Sequence, residues 1–91
     1  MSRIIVERSF DRPFTEDDFA AVSQRVGACL DLYGVRWIRS HVSNDRLRMI
    51  CEYEAADAQS VRDVQDAAQA SFERVWRAEV IEPEESSSDV R

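Results

Sequence analysis

An α+β domain of order β-α-β-β-α-β is what this sequence predicts, and three observations carry the prediction. Arg3-Ile4-Ile5-Val6-Glu7-Arg8 is a β-branched run of strand character. Two later segments carry apolar residues at helical spacing, each behind a capping residue. Between those helices, two strand-like segments flank the polar pair Asn44-Asp45. This order is the split βαβ of the ferredoxin-like fold. Right-handed crossovers build it as a four-stranded antiparallel sheet with both helices on one face.

Each element has its own warrant. Pro13 ends the first strand region, and Thr15 stands in N-cap position before Glu16, Asp17 and Asp18, whose charges suit the positive end of a helix. Phe19, Val22, Val26, Cys29 and Tyr33 then recur every three or four residues as one apolar stripe, until Gly34 stops the helix. Strands are expected over Val35–Ser43 and Arg46–Glu54, with Asn44-Asp45 as a two-residue turn. Asp57 caps a second helix whose stripe is Val61, Val64, Ala67, Ala68 and Phe72, and Glu73–Glu82 is the last strand, ended by Pro83. Residues 1–83 form the expected domain. Residues 84–91, acidic and serine-rich without periodicity, are expected to be a disordered tail.

At 91 residues the chain is the size of one domain, and a 44% apolar, 33% charged composition suits a folded chain rather than a disordered one. No apolar run approaches the ~18–20 residues of a membrane span, and the N-terminus lacks the apolar core of a signal peptide, so a cytoplasmic protein without membrane partners is expected. A net charge of −6 argues against nucleic acid as a partner. Cys29 and Cys51 are too few for a disulfide scaffold and lack zinc-ligand spacing, although both face one core and could pair. Phosphate-cradling glycine loops and nucleophile elbows are absent from the sequence.

A two-residue turn at Asn44-Asp45 would set Ser43 opposite Arg46 and divide the hairpin into two faces. Val42, Leu47, Ser40, Met49, Ile38, Cys51, Arg36 and Tyr53 would lie under the helices. His41, Arg48, Arg39, Ile50, Trp37, Glu52, Val35 and Glu54 would lie on the open side. Ile5, Glu7, Arg77, Glu79 and Ile81 complete that open face from the edge strands. It is too apolar to remain in water, and the economical solution is a homodimer of facing sheets, a dimeric α/β barrel enclosing a partly polar cavity.

Within that cavity, Arg39, His41 and Arg48 form a cationic group suited to a carboxylate, phosphate or other oxyanion, with Trp37 beside it as a stacking surface. Glu7, His41 and Glu52 are the candidate metal ligands or bases. In the expected register, Glu52 lies about 13 Å from the level of His41 at ~3.3 Å per residue, so the two could share an ion only across a dimer. Cys51 faces the core as a small hydrophobe.

Ile5-Val6-Glu7-Arg8-Ser9-Phe10, then Gly34-Val35-Arg36-Trp37-Ile38-Arg39-Ser40 with Val42-Ser43 and Asp45, then Cys51-Glu52-Tyr53-Glu54-Ala55 with Asp57, resemble a family of small bacterial ferredoxin-like domains of formerly unknown function. The named member of that family is an actinobacterial nickel-binding protein. The resemblance covers residues 4–83 and implies the same fold, a dimer and nickel as a ligand. Family members often carry a histidine where this chain has Val64, and a tyrosine where it has His41. The leading expectation is a small homodimeric protein that binds a metal ion, nickel by the resemblance, or a small organic anion between its two sheets. The alternative is a cofactor-free monooxygenase- or cyclase-like enzyme with Glu7 or His41 as base. A third is an interaction protein without a ligand.

Overall fold

In a computed structural model, which describes residues 1–83, strand β1 (Ser2–Ser9) lies inside the sheet, because Ile4 and Val6 are fully buried and draw the strand into the core. Helix α1 (Glu16–Leu30) begins at Thr15, whose hydroxyl accepts from the Asp18 amide while the Asp18 carboxylate accepts from the Thr15 amide. This reciprocal cap satisfies two amides that would otherwise lack partners. A 3-10 turn (Asp31–Tyr33) continues α1, and Gly34 ends it at φ 67°, a left-handed conformation that glycine adopts without penalty. Strands β2 (Arg36–Val42) and β3 (Arg48–Ala55) form the hairpin, Asp57 caps α2 (Ala58–Ala67), and β4 (Arg74–Ala78) closes the sheet. The antiparallel strands are ordered β2-β3-β1-β4, the ferredoxin-like arrangement. The tail expected over 84–91 lies outside the described residues. No helix among the described residues is long and apolar enough to cross a membrane.

The core lies between this sheet and the helices. Ile4, Val6, Cys51, Tyr53 and Val75 meet Val26, Val61, Val64 and Ala68, and burying a side chain of the valine or isoleucine class contributes about 1.5–3 kcal/mol. Val64, where the resemblance would place a histidine, is 0% exposed among these apolar groups. Cys29 and Cys51 are both free thiols.

The hairpin departs from the expected register. Its turn spans four residues, with the Ser43 amide bonded to Arg48 O and the Arg46 amide to Ser43 O. Asp45 Oδ1 accepts from the Leu47 amide and the Ser43 hydroxyl, and Arg46 takes φ 63°. The Phe14 amide reaches Arg46 O, and Arg46 Nε reaches back to Phe14 O, so the loop before α1 anchors the turn. His41 therefore pairs with Ile50 and Arg39 with Glu52, a shift of two residues that preserves which face each side chain occupies.

A β-bulge between Trp37 and Arg39 breaks that parity further along β2. Trp37 pairs with Tyr53 and packs toward the core against Phe19, ring centroids 5.9 Å apart, rather than on the open face. Arg36 takes the open position instead and bonds Glu54 at 2.6 Å. Strand β4 also has the opposite parity from that expected and ends at Ala78. Val75 is buried, so Arg74 and Trp76 face outward, while Ile81 lies beyond the strand and is 85% exposed.

Candidate ligand site on the open face of the sheet

Strand alternation builds this face. With Ile4, Val6, Cys51 and Tyr53 turned into the core, their neighbours Ile5, Glu7, Ile50 and Glu52 must point the other way. Cross-strand pairing then sets Trp76 beside Ile5 and Arg74 beside Glu7 from β4, and Arg39 and His41 beside Glu52 and Ile50 from β2.

Glu52 is the centre of the polar network. Arg3 Nη1 donates to its Oε1 at 2.7 Å, His41 Nε2 stands 2.9 Å from Oε2, and Arg39 Nε lies 3.7 Å from the same oxygen. The His41 contact first, then the Arg3 bond, holds the Glu52 carboxyl below its ordinary range against the opposing effect of burial. His41 and Glu52 thus meet within one protomer, not only across a dimer as the two-residue turn would require. The longer turn moves Glu52 opposite Arg39, one diagonal step from His41.

Glu7 is held separately. Trp76 Nε1 donates to Oε2 at 2.6 Å and Arg74 Nη2 to Oε1 at 3.1 Å. The tryptophan N–H is the largest influence lowering the Glu7 pKa, with the Arg74 charge also acting downward. A general base works best with a pKa near the working pH, and both Glu7 and Glu52 have moved away from it. These carboxylates are built to accept hydrogen bonds rather than protons.

Of the arginines on this face, Arg3, Arg36, Arg39 and Arg74 each lie within 4.0 Å of a carboxylate. Arg48 has no such partner among the described residues, although its charge reaches Glu7 and Asp45 and helps to lower both. It lines a pocket of about 310 Å³ together with Glu7, His41, Ile50 and Glu73, and Arg8 and Met49 border the same pocket. The structure therefore brings His41, Arg48 and Glu7 to one pocket, places Arg39 and Glu52 beside His41, and removes Trp37 to the other side of the sheet. Among the described residues, no three His, Cys, Asp or Glu side chains stand close enough to hold a metal ion.

Sequence reading missed Arg3 and Trp76 here. Arg3 was visible in the alternation of β1, two residues before Ile5. Trp76 was not, because Val75 and Trp76 are both apolar and either could have faced the core.

A protein-family model described as nickel responsive protein SCO4226-like matches residues 5–78. The chain belongs to that family. The matched segment runs from the middle of β1 to the end of β4, so the SCO4226-like unit contains every residue lining the pocket at Arg48. The crystal structure of SCO4226 from Streptomyces coelicolor A3(2) superposes with a TM-score of 0.80 over 89% of this chain and 100% of that one. At 14% identity that likeness is one of fold. No curated protein matches the chain.

Proposed function

We propose that this SCO4226-like protein is a homodimeric binding protein for a small polar anion, held between two facing sheets at His41 and Arg48. The observation that carries the reading is Arg48, the one guanidinium of the open face without a carboxylate among the described residues, lining a pocket with His41. A planar guanidinium beside an imidazole offers several N–H donors to a carboxylate or phosphate. Dimerisation is supported by Ile50 on the inner strand β3 and Trp76 on the edge strand β4, which are 43% and 44% exposed. Pairing two sheets would cover them and enclose the pocket, where hydrogen bonds to charge strengthen.

Nickel is the ligand that the family description names, and the donors of one protomer do not fit it. Glu52 is occupied by two guanidinium groups and His41, Glu7 is occupied by Arg74 and Trp76, and guanidinium groups crowd the only imidazole. The lowered pKa values of the glutamates likewise favour binding over general-base catalysis.

Calorimetry on tag-free protein tests the reading, with succinate and phosphate as anions and nickel as the metal. Anion binding that weakens at least about tenfold in Arg48→Gln is expected, because hydrogen bonds to charged groups carry that much. Absence of heat from both anions, or unchanged affinity in Arg48→Gln, would overturn the anion site. Stoichiometric nickel binding would overturn the argument from the donor set, and a monomer at micromolar concentration in sedimentation would overturn the dimer.

A further inference from the structure

Beneath the helices, the sheet holds another arginine in very different surroundings. Arg8 follows Ile4 and Val6 on the inward side of β1 and is only 6% exposed. Its guanidinium donates to Ser71 O at 2.8 Å, Gln65 Oε1 at 2.6 Å and Tyr53 Oη at 3.4 Å. All three acceptors are neutral. Burial holds the Tyr53 phenol above its ordinary pKa, so it remains an O–H and supplies no counter-charge. No carboxylate lies within 4.0 Å of Arg8 among the described residues. A buried cation without a counter-ion is unfavourable unless something compensates it, and an arginine does not shed its charge to escape burial.

Arg8 lines an internal cavity of about 100 Å³ between α1 and the sheet. The walls are largely apolar and aromatic, with Phe14, Phe19, Val22, Trp37 and Met49 among them. Ser23 Oγ, in the same lining, is buried with no hydrogen-bond partner among the described residues. Outside lies a cleft of about 390 Å³ that shares Phe10, Phe14, Val22, Arg25 and Ser71 with the inner cavity. Those side chains form the partition between the interior and solvent.

We infer that this cavity binds a small monocarboxylate with a compact apolar body, its carboxylate on Arg8 and its hydrocarbon part against Phe19, Trp37 and Met49. The buried Arg8 guanidinium matches one carboxylate in charge and in planar geometry, while Arg25, in the part of the lining shared with the outer cleft, donates its Nε to Ala68 O. A neutral ligand would leave Arg8 uncompensated. Size narrows the choice further. Benzene, with six heavy atoms, takes a cavity of about 150 Å³, so about 100 Å³ suits an acid of roughly two or three carbons. Arg8 and Met49 also border the Arg48 pocket, but the cavity lies on the helix side of the sheet and its argument does not rest on that reading.

The chain's two tryptophans separate the sites. Trp37 lines the inner cavity, whereas Trp76 bonds Glu7 on the open face. In full-length Trp76→Phe protein, titration with propionate is expected to give a saturable change in Trp37 fluorescence at millimolar concentration or below. Propionamide, the uncharged analogue, is expected to bind at least about tenfold more weakly, the factor a charge-assisted hydrogen bond supplies. Arg8→Met and Val22→Phe should each abolish the change, and Arg48→Gln should leave it intact. Where Arg8→Met fails to fold, Val22→Phe and the amide decide, since both leave the Arg8 network in place. No saturation with propionate, or equal binding of acid and amide, would overturn the proposal. Retention in Val22→Phe with loss in Arg48→Gln would overturn it too, and would place the acid on the open face.

Discussion

Replacing Glu52 with glutamine removes one negative charge from the centre of the open face while keeping the side chain's size. The carboxylate holds Arg3 at 2.7 Å, His41 at 2.9 Å and Arg39 at 3.7 Å. The Arg39 and His41 side chains are 58% and 62% exposed, so solvent screens those contacts and they add little. The Arg3 pair is different, at 20% and 16% exposure, and Arg3 Nε is already buried without a partner. A half-buried, charge-assisted pair of this kind is worth about 1–2 kcal/mol, between a screened surface pair and a fully buried one. Urea unfolding at neutral pH should show Glu52→Gln less stable by that amount, with Tm lower by about 4–8 °C per kcal/mol in a domain of this size. The pH dependence has a defined sign. The folded-state pKa of Glu52 lies below its ordinary 4.5, so its contribution is fully present above that value and is lost as pH falls through the folded value. The gap between wild type and Glu52→Gln should stay constant at neutral pH and close on acidification below 4.5. Equal stability at neutral pH, or a gap that survives acidification undiminished, would refute the reasoning.

Other expectations follow from single residues. Ile50→Asp, on a side chain 43% exposed in the protomer, should leave the fold intact and give a monomer in sedimentation, because it would place an unpaired charge in the dimer seam. Gly34→Ala meets no atom within 4 Å at its added carbon, so its effect is the left-handed backbone alone, about 1 kcal/mol in urea unfolding. A thiol reagent should modify Cys29 before Cys51, which is 3% exposed, and equal rates would contradict the placement of Cys51 in the core.

Sequence periodicity located all six regular elements because each rests on local signals. Thr15 and Asp57 are caps, Gly34 is a stop, and Ile4 with Val6 marks the inward side of β1. Chemistry was less legible where a long-range contact decides the geometry. The hairpin turn takes four residues because Arg46 is tied to Phe14, 32 positions away, and no local pattern records that contact. The shift carries Glu52 to His41 and so converts two separate candidates into one pair. The bulge at Trp37 is likewise a tertiary choice: a tryptophan gains more from packing on Phe19 and the core than from lying among charges. Arg8 is the opposite case. Two residues after Val6, it stands at an inward position, and alternation alone marks it as a buried cation.

Arg8 and Arg48 also share an address in the fold. In the pairing of β1 with β3, Arg8 lies opposite Met49 and Ser9 opposite Arg48, so the two cations sit at the same end of the sheet, one beneath it and one above. At the other end, every open-face arginine meets a glutamate: Arg3 meets Glu52 and Glu54, and Arg36 meets Glu54. Arg8 and Arg48, neither with a carboxylate within 4.0 Å among the described residues, thus lie together where β1 runs into the loop before α1. The Phe10 amide bonds Leu47 O there, the Phe14 amide bonds Arg46 O, and Phe10 stacks on Phe14 at 4.5 Å. That loop forms part of the wall of the Arg8 cavity, and its partner hairpin carries Arg48.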